Sequence, residues 1–157
     1  MEMKQYLVDT FRFNDYANKL VLGKIRQLPD KQESIRFFSH LINSQHKWLA
    51  RIQQDSGAPG MSWWDPVYLP EELEDRWNQS LATWIDLLNS KTEDEIFADV
   101  SVMADNGTPY AIALKDIALQ LNYHSIHHRA QIQMLIRKQG LTPDFVDYIG
   151  TKYKKII

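Results

Sequence analysis

Apolar residues recur at helical spacing over most of the chain. A first pattern, residues 2–28, sets Tyr6, Phe13, Ala17, Leu20, Val21, Leu22 and Ile25 at its apolar positions and stops at Pro29. The second begins at Asp30 or Ser34 and ends at Asp55. It carries two stripes, Phe38, Ile42, Gln45, Leu49 and Ile52 on one and Phe37, Leu41, Ser44 and Trp48 on the other, which predicts a broadly buried helix. The third, residues 71–89, is entered at Pro70 and spaces Leu73, Trp77, Leu81, Trp84 and Leu88 by fours and threes. The fourth starts near Ala113 and runs to Gln139, where Gly140 caps it; Thr142-Pro143 predicts the start of a short last helix carrying Phe145, Tyr148 and Ile149.

Two stretches interrupt this periodicity. Ser56-Gly-Ala-Pro-Gly60 breaks the second helix, and an irregular segment, residues 61–70, follows it. Loops of that length inside a compact domain are often functional, and Trp63 and Trp64 can either close over a site or pack as a hydrophobic lid. Farther on, residues 98–104 alternate weakly, Asn106-Gly107 is a strong hairpin signal, and Thr108-Pro-Tyr-Ala111 completes a short two-stranded flap. The fold predicted is all-α: an antiparallel four-helix bundle with a short β-hairpin flap before the fourth long helix and a short C-terminal helix. Residues 1–157 are read as a single domain.

One stripe of the fourth helix is only half apolar. Ile117, Leu121, His124, His128, Gln131 and Leu135 follow one another at alternating steps of four and three, and three of the six are polar. Imidazole is unfavourable on a core face unless something takes up its ring nitrogens, and a metal ion does so most economically. Residues i and i+4 stand roughly 5–6 Å apart at Cβ, so His124 and His128 can both reach one ion at the ~2.0–2.1 Å of a zinc–nitrogen bond. The alternative is a polar helix edge whose histidines are solvated or bonded to neighbours. His127 is the weaker candidate, because it shares its face with Gln120, Tyr123 and Met134. For a third ligand only His40 and His46 remain, both on the second helix. His46 borders the first of its stripes and His40 the second, and periodicity does not choose between them. Gln131, one turn beyond His128, is the candidate for orienting a ligand or a bound water, with a structural amide as the equal alternative.

Composition narrows the chemistry. A chain of 157 residues can bury a proper core without disulfides or a structural metal, so a metal here would serve function rather than folding. It has no cysteine, which excludes disulfides, thiolate zinc sites and a cysteine nucleophile. H-E-x-x-H is missing as well, because Ser125 stands where that motif needs glutamate, and a peptidase is not expected. Net charge is −2, with no basic run beyond Lys152-Tyr-Lys-Lys155, so no nucleic-acid partner is expected. The first residues lack the apolar core of a signal peptide, and no apolar run approaches the ~20 residues of a membrane span. A cytoplasmic protein without a membrane partner is the expectation.

The chain resembles the DinB/YfiT-like family of four-helix-bundle metalloproteins over nearly its full length. Phe13-Asn-Asp-Tyr-Ala-Asn18 is similar to that family's aromatic-Asn-x-Trp-Ala-Asn, with Tyr16 in place of the tryptophan. The run from Phe37 to Ile52 resembles its His-Ile-x-x-x-x-x-x-Trp segment, with the histidine falling on His40. Asp105-Asn-Gly-Thr-Pro-Tyr110 resembles the hairpin before the last long helix, and Asp147-Tyr-Ile149 the C-terminal Asp-aromatic-Ile ending. The most specific motif is H-x-x-x-H-R-x-Q, matched by His124-Ser-Ile-His-His-Arg-Ala-Gln131. Two positions depart from the family pattern: Gln120 stands where another histidine is often found, and Tyr123 where asparagine is common.

The resemblance implies His40, His124 and His128 as the metal ligands, with His46 and His127 as bystanders or pocket neighbours. It also implies a divalent ion, zinc or nickel first, with iron, manganese or copper as further options, because three imidazoles suit several of these metals. Family members with assigned activities include transferases and isomerases that use low-molecular-weight thiols such as bacillithiol or mycothiol. The expected function is therefore a metal-dependent enzyme acting on a small-molecule substrate, with a small thiol as cosubstrate, and a homodimer. Its alternatives are a non-catalytic metal- or ligand-binding bundle and a metal-dependent hydrolase.

Overall fold

In the computed structural model, which describes residues 2–156, the helical patterns become α1 (Met3–Ile25), α2 (Gln32–Ile52), α3 (Leu73–Ser90) and α5 (Leu114–Lys138). A short helix that periodicity does not announce, α4 (Glu93–Phe97), follows α3. Five residues are too few to show a 3.6-residue repeat, but the local chemistry is there. Thr92 and Glu95 form a reciprocal capping box, and Ile96 is buried beneath it. The chain then enters the hairpin, β1 (Asp99–Met103) paired antiparallel with β2 (Pro109–Ala113), in the register Asp99 opposite Ala113 and Met103 opposite Pro109. Gly107 adopts φ +80° at the turn, a conformation glycine reaches without steric penalty.

The core forms where α1, α2, α3 and α5 meet. Leu73, Trp77, Leu81, Trp84 and Leu88 of α3 are all buried, as their spacing predicts. The polar ends of its two indoles are engaged: Trp77 Nε1 donates to Asp15 at 3.0 Å and Trp84 Nε1 to the Gln45 carbonyl at 3.0 Å. Helix α2 is buried around most of its circumference, including His40, Gln45, Lys47 and Arg51. Among the described residues no helix is long and apolar enough to cross a membrane.

Two sequence expectations shift in detail. The C-terminal helical segment is a single 3-10 turn, Tyr148–Thr151, that begins after Thr142-Pro143 rather than at it. What anchors this end is Val146, packed with Phe13 and Ala17, and Tyr148, whose ring meets Phe13 edge-on at 5.1 Å. The histidine stripe of α5 is also not its deepest line. Beyond Leu121 the most buried positions are Asn122, Ser125, Arg129, Ile132 and Ile136, while His124, Gln131 and Leu135 are half-buried. The reason is that α5 packs on both α1 and α2. Asn122, Ser125 and Arg129 bond to α1, and the histidines lie along the seam with α2.

Candidate metal centre

His40 comes from the middle of α2, and His124 and His128 from consecutive turns of α5. Packing of these two helices brings one ring nitrogen of each to a common point. His124 Nε2 lies 3.0 Å from His40 Nε2 and 2.9 Å from His128 Nε2. The three rings meet nearly at right angles, with interplanar angles of 77° to 90°.

The far nitrogen of two of these rings is already committed. His40 Nδ1 sits 2.6 Å from the backbone carbonyl of Trp63, and His128 Nδ1 sits 2.6 Å from Gln131 Oε1. Both partners are acceptors, so each Nδ1 carries the proton and each Nε2 presents a lone pair to the centre. His124 Nε2 faces both. A neutral His124 offers at most one proton there, which leaves at least one N···N contact with lone pair against lone pair. Protonating His124 adds no second proton at Nε2, so only a proton on His40 or His128 would relieve this; burial, followed by the neighbouring imidazoles, lowers the His124 pKa to about 4. Burial is likewise the leading cause that lowers the pKa of His40 and of His128. A cation at the common point resolves the conflict. Right-angle ligands at ~2.1 Å bonds stand ~3.0 Å apart and tetrahedral ones ~3.4 Å, so the observed separations fit an ion that keeps further positions open.

Aromatic side chains wall the three rings. Trp64 stacks on His40 at 3.8 Å with 9° between the planes, Arg36 covers Trp64, and Phe37 stacks on His128 at 5.4 Å. The irregular segment after α2 therefore does touch the site, supplying both the Trp63 carbonyl and the Trp64 ring. A cavity of about 270 Å³ adjoins the cluster, walled by Trp48, Trp63, Ser44, Gln120 and Leu121 and floored by His40 and His124. A larger cavity of about 350 Å³, bounded by Arg51, Gln54, Asp55 and Met103, holds no histidine. Of these two cavities only the smaller is bordered by the histidine cluster.

The remaining sequence candidates fall elsewhere. His46 lines a separate cavity with Asn43, Met61 and Tyr68, and His127 is exposed with its ring edge-on to His128. Gln131, read from the sequence as orienting a ligand or bound water or else as a structural amide, places its oxygen 2.6 Å from His128 Nδ1 and so bonds that imidazole. Periodicity passed over a second group. Lys47 and Arg51, one turn apart on α2, reach Asp105 of the hairpin turn at 2.7 and 2.8 Å, and Trp63 Nε1 donates to the same carboxylate at 3.1 Å. Two cations at i, i+4 on a helix whose pattern predicts broad burial were the available signal.

No curated protein matches this sequence. The sequence model of the DinB family matches residues 3–156, a span that takes in every element that builds the histidine cluster. The chain belongs to the DinB family.

Proposed function

We propose that the protein is a metal-dependent enzyme whose divalent ion is held by His40, His124 and His128. The observation that carries this reading is the convergence of three Nε2 atoms whose protons cannot satisfy one another. Bound there, a dication supplies Lewis-acid polarisation of an electrophile and lowers the pKa of a coordinating water or thiol. The chain's own contribution is positioning. The Trp63 carbonyl and Gln131 fix the tautomer of two ligands, Trp64 and Phe37 shield them from bulk water, and Gln120 offers the one uncommitted side-chain amide among the residues lining the cavity.

The reaction class proposed is transfer or isomerisation with a small thiol as cosubstrate. Because the chain has no cysteine, the sulfur must arrive with that cosubstrate. In a transfer, sulfur forms the new C–S bond with an electron pair, its proton passes to solvent, and the leaving group departs with its own pair. Metal-loaded protein screened with bacillithiol, mycothiol, glutathione and coenzyme A against model electrophiles tests this, with His124→Ala as the control. Faster turnover by the wild type supports thiol chemistry. Equal rates reject it for that panel and leave hydrolysis or a binding role, which metal-dependent ester or amide hydrolysis separates.

The same reading includes a homodimer in the cytoplasm. Large apolar side chains left exposed on α1 and α5, among them Tyr16, Tyr123, Ile126 and Met134, support an interface. A monomer by light scattering at tens of micromolar, on the order of ordinary assay concentrations, would dispose of it.

A further inference from the structure

One of the three histidines, His40, is fixed at its far nitrogen by a backbone carbonyl, and that carbonyl has its own anchor. Trp63 accepts the His40 Nδ1 proton through its main chain and donates its indole N–H to Asp105 Oδ2 through its side chain. Asp105 belongs to the hairpin, 42 residues away in sequence from Trp63. Its other oxygen meets both Lys47 and Arg51. Lys47 in turn donates to the carbonyl of Met61 at 2.5 Å and lies 4.5 Å above the Trp63 ring, while Arg51 lies 4.8 Å from that ring. The segment that carries Trp63 is thus clamped from two sides by groups that meet at one carboxylate.

We propose that Asp105 is a positioning residue for the metal centre, fixing the Trp63 carbonyl that sets the tautomer and ring orientation of His40. This rests on the metal-dependent reading above. The physical case is that residues 61–66 contain no helix or strand, so side-chain bonds must hold the Trp63 carbonyl in place. Lys47 and Arg51 are buried cations whose shared ion-pair partner is this half-exposed carboxylate, so water reaches each pair only from the Asp105 side. The Lys47 contact, more than any other, holds the Asp105 carboxyl below the usual carboxylate range. Removing the carboxylate releases the indole and leaves two neighbouring cations to repel. The carbonyl then loses its fixed position under His40 Nδ1.

The test uses Asp105→Ala, Trp63→Phe and the double variant. In metal-free protein, nitrogen-15 spectra report proton exchange at His40 Nδ1. Divalent-ion affinity by competition with a chelator and the visible spectrum of the cobalt form report the ligand set. We expect each single change to accelerate exchange at His40 and to weaken ion binding about tenfold, the lower end of what loss of a partner beyond the ligands does. The cobalt spectrum should shift, and the double variant should lose no more than the worse single one, because both act through the same indole. Trp63→Phe guards against a folding artefact, since it leaves Lys47, Arg51 and Asp105 in place. Wild-type exchange at His40 in both single variants would overturn the assignment of Asp105. A wild-type protein that binds no ion would instead sink the metal reading, and the exchange measurement would still decide whether Asp105 governs His40.

Discussion

Helix α5 carries two buried polar lines one residue out of step, and they are built in opposite ways. Asn122, Ser125 and Arg129 face α1, where Asn14 and Asn18 complete a closed set. Asn14 donates to Asn122 at 2.8 Å, Asn18 donates to Ser125 at 2.8 Å, and Arg129 NH1 donates to the oxygens of both Asn14 and Asn18 at 2.9 Å. All three asparagine amides have both oxygen and nitrogen engaged, Asn122 through the Ala118 carbonyl. Next to them, His124 and His128 face α2 and meet His40 with more lone pairs than protons. The first line is satisfied from within the chain and the second is not. Buried polarity that closes on itself holds a helix pair in register; buried polarity left open at one point marks where something else must bind.

This difference predicts opposite responses to substitution. The largest effect is expected from His124→Ala: ion affinity measured with a competing chelator should fall by more than the ~100-fold that bounds changes in the groups around the ligands. In metal-free protein the same change should leave thermal stability unaltered or raised, because it removes the lone-pair conflict. A destabilised metal-free variant would mean that the three imidazoles share protons and need no ion.

Arg129→Leu should do the reverse. It orphans the Asn14 and Asn18 oxygens in the core, and an unsatisfied buried acceptor costs about 1–3 kcal/mol, so for two of them denaturant unfolding should register a loss of roughly 2–6 kcal/mol. Burial already lowers the Arg129 pKa, to about 10, so the guanidinium remains charged at neutral pH and its bonds are charge-assisted. Ion stoichiometry of the folded variant should remain that of the wild type. Loss of the ion would show that the two lines are one coupled network.

How far each line is legible in the sequence follows from its chemistry. The long helices show themselves through period, and Trp77 and Trp84 fall inward because their stripe is uninterrupted. The histidine pair is legible for the same reason. Its third member is not, because α2 is buried nearly all round and both His40 and His46 border apolar stripes; only the family motif points to His40. Asn14 and Asn18 stand inside a recognisable motif, yet their burial cannot be read from polarity, since it depends on Arg129 more than a hundred residues away. The Trp63 carbonyl is harder still. A backbone acceptor has no signature in the side-chain alphabet, and its role emerges only when α2 and the loop are seen together.

A smaller effect separates the two lines by pH. The pKa of each clustered histidine is lowered in the folded protein, with burial the largest cause. Above the ordinary histidine value of about 6.5 both folded and unfolded chains are neutral there, and these groups contribute no pH dependence. As pH falls below it, the unfolded chain takes up protons first, so metal-free protein loses stability on going towards pH 4, the region of the folded His124 value. Denaturant midpoints measured from pH 7 to pH 4.5 should slope downward in the wild type and less steeply in His124→Ala. An equal slope in the two proteins would assign acid sensitivity to carboxylates such as Asp105, whose lowered pKa acts in the same direction.

The smallest effect is expected where polarity faces outward. His127 touches the cluster through an edge contact with His128, and its side chain is exposed. An exposed residue whose one aromatic contact is an edge changes stability by no more than about 0.5 kcal/mol. His127→Ala should therefore keep both the unfolding midpoint and the ion stoichiometry of the wild type. The comparison is useful because His127 shares residue type and helix with the cluster and differs in position alone. If its removal empties the site, the ligand set includes a fourth imidazole that must swing inward, and the open coordination positions on which the proposed chemistry depends would be fewer than the three-histidine geometry allows.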